Sequence, residues 1–137
     1  MSEKRSFLEI VSKQLLGEWY YDGLIVECLQ DVFEIYPLYE NKITDVYTVT
    51  DITAPLFVKV IRREFQDAIK ELDNKRIIRS LFYKESNGIK VKGGNIFEQL
   101  EDGKIRMNKN KTFNNFDEIL ELNLISEEEK RDEWLVF

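Results

Sequence analysis

The chain has 137 residues, 43% of them hydrophobic and 34% charged, with a net charge of −6, one cysteine and no histidine. That is one domain by length, enough to bury roughly two-thirds of its unfolded surface. A disulfide within the chain, a zinc site built on Cys and His, and any triad or shuttle that needs imidazole are excluded.

No apolar run approaches the roughly 18 residues of a membrane span. Met1–Ser6 lacks the long apolar segment of a signal peptide, so a cytoplasmic protein without membrane contact is expected. Usage rich in Ile, Asn, Lys and Glu, with only Ala54 and Ala68 as alanines, suits an AT-rich bacterial or phage genome.

In chain order, Phe7, Ile10, Val11, Leu15 and Trp19 share a helical stripe, with Leu8 and Leu16 at its margin. This predicts a helix from Glu3 that ends near Gly17 or runs to Trp19, before Asp22-Gly23 breaks the chain. Leu24–Tyr36 also reads as a helix. Glu27, Gln30, Asp31 and Glu34 recur at i, i+3, i+4 and i+7, Ile25, Cys28, Leu29 and Val32 occupy the other face, and Pro37 closes the segment. Ile43–Ile52 is dense in β-branched and aromatic residues and reads as a strand. Thr53-Ala54-Pro55 then opens a helix with Phe57, Val60, Ile61, Phe65, Ala68, Ile69 and Leu72 as its stripe, ended by Asp73-Asn74.

Residues 75–111 differ from their surroundings. They hold ten Lys/Arg against four Asp/Glu, whereas residues 1–74 and 112–137 each carry a net −6. Asn87-Gly88 and Asp102-Gly103 mark two hairpin turns, and Gly93-Gly94 reads as a bulge or turn between strands. Apolar residues alternate with cations in Ile89-Lys90-Val91-Lys92 and again in Lys104-Ile105-Arg106-Met107. An antiparallel sheet of four to five strands follows, with Lys90, Lys92, Lys104 and Arg106 on its outer face and Arg76, Arg79, Lys109 and Lys111 extending the patch. Beyond it lie a short helix over 114–122 capped by an Asn, a capping box at Ser126-Glu127-Glu128-Glu129, and an apolar end, Trp134–Phe137. The expected fold is α+β, one domain over residues 1–137, with this sheet packed against N-terminal, central and C-terminal helices.

Gly17-Glu18-Trp19 resembles, over three residues, the G-x-W that opens lipocalin-like barrels. Such a barrel needs about eight strands, and the helical stripes leave too little chain for them, so Trp19 reads as a core or hinge aromatic. Cys28, among apolar neighbours and beside Glu27 and Asp31, reads as a small core residue rather than a reactive thiol. The carboxylates match neither the calcium-loop nor the H-E-x-x-H spacing, so no catalytic residue, metal site or cofactor is expected.

With no catalytic motif, the expectation is a non-enzymatic binding protein of inhibitor, immunity or phage-accessory type that acts by contact with another protein. Its contact residues would be Lys90, Lys92, Lys104, Arg106, Arg76 and Arg79. A second set would be Glu27, Asp31 and Glu34 on the acidic helical face, with Trp134 and Phe137 at an end that could also join two copies of the chain. Two alternatives stand beside this: a nucleic-acid-binding domain using the basic sheet face, with Phe82, Tyr83 or Phe97 as stacking aromatics, and an enzyme or small-molecule binder with a carboxylate site that one sequence does not reveal.

Overall fold

Two antiparallel sheets, each with its own core, frame the computed structural model, which describes residues 3–38, 53, 55–81, 83–86, 89–92 and 94–137. The fold class is α+β, as expected. Strand content is larger than the sequence suggested, and several segments that carry a helical period are strands.

The first compact unit is Met1–Val60 with Phe137. Strand β1 (Lys4–Ser6) leads into α1 (Phe7–Ser12), whose first turn is capped by Ser6 Oγ accepting from the Glu9 N–H at 3.2 Å. The helix predicted to reach Gly17 stops here, because Gln14 adopts φ 49° and turns the chain back. Strands β2 (Gly17–Tyr21), β3 (Leu24–Leu29) and β4 (Val32–Pro37) follow as a meander, and β5 (Leu56–Lys59) completes a sheet of order β1-β5-β2-β3-β4.

Asp22-Gly23, with φ 43° and 83°, joins β2 to β3 as a two-residue turn with both central residues left-handed, the geometry that Asp-Gly favours. One face of the meander presents Trp19, Val26, Cys28 and Leu24 to Ile10 and Phe57, which together form the core of this unit. The indole N–H of Trp19 donates to the Leu15 carbonyl at 3.1 Å. The helix read over Leu24–Tyr36 is therefore a hairpin. The strand expected over Ile43–Ile52 lies outside the described residues.

The second unit is Ile61–Val136. It holds β6 (Ile61–Arg63), α2 (Phe65–Glu71) with a 3-10 turn at Leu72–Asn74, and β7 (Ile78–Ser80). Next come β8 (Tyr83–Ser86), β9 (Ile89–Lys92), β10 (Ile96–Gln99), β11 (Ile105–Met107) and β12 (Lys111–Phe113). The chain closes with α3 (Phe116–Glu121), α4 (Glu127–Arg131) and β13 (Trp134–Val136). The predicted helix from Pro55 holds only for its second half. Phe57 lies in β5, Ile61 in β6 and Val60 between them, while Phe65, Ala68 and Leu72 bury their stripe in the second core. The β-branched and aromatic density of 56–61 explains the strands.

The larger sheet runs β12-β11-β10-β7-β13-β6, and β8 pairs with β9 in a separate two-stranded sheet, Ser86 opposite Ile89. The Asn87-Gly88 turn between them lies outside the described residues. The Asp102-Gly103 hairpin forms between β10 and β11 as predicted, with Ile105 and Met107 buried and Lys104 exposed. Both predicted caps are made: Asn115 Oδ1 accepts from the Glu118 N–H at 2.9 Å and Ser126 Oγ from the Glu129 N–H at 3.1 Å. The Glu129 carboxylate, however, does not reach back to close the box. Buried, it accepts from the Asn95 N–H at 3.0 Å and from Asn95 Nδ2 at 3.0 and 3.1 Å, tying α4 to the start of β10.

Candidate functional site

Hairpin register decides which side chains share a surface. In the first unit Glu18 stands opposite Glu27, and Glu27 opposite Glu34, so three carboxylates cross β2, β3 and β4 in one row. Directly opposed like charges destabilise a sheet, since Cβ atoms of such pairs lie about 5 Å apart. Tyr36 answers part of this. Its hydroxyl lies 3.1 Å from Glu18 Oε2 and 3.2 Å from Glu27 Oε2. One phenolic proton serves one acceptor at a time, so the pair is only half satisfied.

Burial and the two carboxylates push the Tyr36 hydroxyl well above its usual range, which keeps it a donor rather than a general base near neutrality. The raised value fixes a pH dependence. Above about pH 10 an unfolded tyrosine ionises, while Tyr36 in the folded chain stays protonated. The folded state then holds more protons, so the stability this group contributes is present below pH 10 and falls as pH rises. Tyr36→Phe should flatten that decline when urea midpoints are compared between pH 8 and pH 11.

The same face continues to the hairpin tip. Leu29 is two residues beyond Glu27 and Val32 two before Glu34, so all four point to one side. Leu29 is 43% exposed and Val32 56%. The helix reading placed Leu29 and Val32 opposite the acids; the sheet places them beside the acids. Asp31 occupies the turn at φ 68° and accepts from Gln14 Nε2 at 3.5 Å. At this tip Val11, Gln14, Cys28, Leu29, Asp31, Val32 and Phe33 line a cavity of about 150 Å³. Between Lys13 and Lys42 the sequence holds no Lys or Arg, and among the described residues Glu18, Glu27, Asp31 and Glu34 have no ion-pair partner.

The predicted basic residues do not assemble on one sheet. Lys90 and Lys92 belong to β9 in the two-stranded sheet, whereas Lys104 and Arg106 belong to the β10–β11 hairpin of the six-stranded sheet. Arg79 and Arg106 do share the face of that sheet turned from its core, with Arg62 further along it. Arg106 is ion-paired with Glu98, its cross-strand neighbour. Arg76 donates to the Val136 carbonyl at 3.1 Å, and its partial burial lowers its pKa. Trp134 and Phe137 are buried: Trp134–Val136 pairs on both sides, with β6 and β7, and the Phe137 ring meets Tyr20 edge-on at 5.4 Å.

Among the described residues no group of three or more His, Cys, Asp or Glu is placed to hold a metal ion, and no helix is long and apolar enough to cross a membrane. Sequence reasoning named Glu27, Asp31 and Glu34 but missed Glu18 and Tyr36. The signal available for them was Asp22-Gly23 between Trp19-Tyr20-Tyr21 and Leu24-Ile25-Val26, a hairpin signature that sets the register. The chain matches no family model, no curated protein and no solved structure.

Proposed function

We propose that this protein works by contact with another protein, through the acidic row on the face of β2, β3 and β4 turned from their core, and that the partner presents a basic surface. The observation that carries this reading is the row Glu18, Glu27 and Glu34, in register across three adjacent strands with no cation in the surrounding sequence. Repulsion within such a row is relieved when a partner's Lys or Arg enters it, so the fold stores a preference for cationic surfaces. Its role is of the inhibitor or accessory type, in the cytoplasm, and involves no bond-making.

The basic residues of the second unit are the rival contact set, for nucleic acid or an acidic protein. The commitment of Arg106 to Glu98 and of Arg76 to a backbone carbonyl weighs against it. Cross-linked capture by the wild-type chain, by Glu27→Lys/Glu34→Lys and by Arg79→Glu/Arg106→Glu tests the choice, with captured proteins purified and their affinities measured at two salt concentrations. The acid-face reversal should cost at least tenfold in affinity and remove the salt dependence. If only the arginine reversal costs affinity, or if labelled DNA or RNA binds tightly in low salt, the proposal fails.

A further inference from the structure

Strand β4 is the last of its sheet, and among the described residues no strand lies beyond it. Its backbone phase is fixed. The Leu38 N–H donates to the Gly23 carbonyl at 2.8 Å, in the register that sets Tyr36 opposite Ile25 and Glu34 opposite Glu27. Hydrogen-bonded and non-hydrogen-bonded pairs alternate along an antiparallel ladder. Val32, Glu34 and Tyr36 therefore turn their N–H and C=O to β3, while Phe33, Ile35 and Pro37 turn theirs outward. Proline has no N–H to offer, and Asp31 already lies in the turn. The edge thus holds two complete docking residues, Phe33 and Ile35, and the residue between them is Glu34.

A strand added antiparallel, the sense of every pair in this sheet, would exchange backbone hydrogen bonds with Phe33 and Ile35 and set one residue directly opposite Glu34. That pair is of the non-hydrogen-bonded kind, in which Cα atoms approach to about 4.5 Å. The incoming side chain falls in line with Glu18, Glu27 and Glu34, as the fourth position of their row. Charge complementarity selects it: a carboxylate lengthens the repulsion, a neutral side chain leaves it, and Lys or Arg relieves it. The residues on either side fall beside Phe33, 44% exposed, and Ile35, half-buried, which favours apolar side chains there. A second copy is the poorer occupant, because two β4 strands paired in this way set Glu34 against Glu34 and join two acidic rows end to end.

We infer that the edge of β4 accepts a strand from the partner, with Lys or Arg opposite Glu34 and apolar residues flanking it. This rests on the acidic-row reading above and names the form of its ligand, an extended segment rather than a helix or a folded basic surface. The backbone ladder supplies affinity, and the cation supplies register and choice of partner.

The probes are three seven-residue peptides that alternate Val with Lys and begin and end on Val. One is unmodified, one is N-methylated on the backbone of its two inner valines, and one on the backbone of two lysines. In the docked strand the valine N–H groups face β4 and the lysine N–H groups face away, so the two methylated peptides share charge and composition and differ only in which donors they lose. The valine-methylated peptide should bind the wild-type chain about tenfold more weakly than the unmodified one, or worse, whereas the lysine-methylated peptide should keep its affinity. Glu27→Gln/Glu34→Gln should weaken the unmodified and lysine-methylated peptides alike, by about threefold or more.

Equal, salt-dependent binding of all three peptides overturns the added strand and leaves the acidic row standing. Binding of none overturns both. Self-association of the chain in solution that the unmodified peptide reverses and the valine-methylated one does not would make a second copy the occupant, and the inference would then be wrong.

Discussion

Gly94→Ala is expected to lower the melting temperature by about 10 °C, more than alanine at any other described glycine. A Cβ at this position would lie 2.0 Å from the Ser80 carbonyl oxygen and 2.7 Å from its carbon, a distance no side-chain rotation relieves. Neither backbone can give way cheaply. Ser80 is buried, paired with Trp134 in the middle of the six-stranded sheet, and its N–H donates to Asn95 O at 3.1 Å. Asn95 is held in turn by the Glu129 carboxylate.

Overpacking against fixed backbone costs about 3 kcal/mol or more. For a chain of this size each kcal/mol is worth roughly 3–4 °C. Gly23→Ala is the comparison. There a Cβ meets nothing within 4 Å, and the penalty comes only from φ 83°, about 1–2 kcal/mol. Thermal melts of the two variants side by side decide the matter: equal losses would mean that the close approach at Ser80 does not exist.

Caps and short alternations were legible in the sequence, whereas helical periods over 7–19, 24–36 and 55–72 were legible only in part. Asn115 and Ser126 cap helices because a cap is made within four residues, and the alternation at Ile105 and Met107 is visible for the same reason. Leu24–Tyr36 shows how a local period misleads. Glu27 and Glu34 are seven residues apart, which is two turns of a helix and also the separation of partners across a hairpin centred on Gln30-Asp31. The acids share a face either way, so the acidic surface was legible although its backbone was not. What separates the readings is the fate of Leu29 and Val32, and only the strand puts them with the acids.

Charge totals carried less. The excess of cations over residues 75–111 is a fact of the sequence, yet the fold distributes those cations over two sheets and uses Arg76 and Arg106 within the structure itself. A net charge counted along the chain does not say which surface holds it. In the acidic meander the opposite applies. A hairpin pair folds a short stretch of sequence onto one small face, so the absence of cations from that stretch becomes a property of the face.

Trp134→Ala should be among the most destabilising substitutions in the chain, costing about 3–5 kcal/mol, or roughly 10–15 °C. Trp134 is fully buried, 5.2 Å from the Phe65 ring and 6.0 Å from the Phe97 ring, and its indole N–H donates to Glu129 O at 3.1 Å. Removing it empties the space between the sheet and α2 and leaves that carbonyl without its donor. It also weakens β13, the strand that joins β6 to β7 although each lies far from it in the sequence. Trp134→Phe keeps most of the volume and loses the hydrogen bond, so its cost should be about 1–2 kcal/mol. Urea titrations of the two variants give the ladder. If Trp134 were a contact residue, the urea midpoint would be unchanged and the affinity for a basic partner would be lost. Below the melting transition that affinity should be the same in Trp134→Phe as in the wild-type chain, because the indole serves the second core and the proposed contact is the acidic row of the first unit.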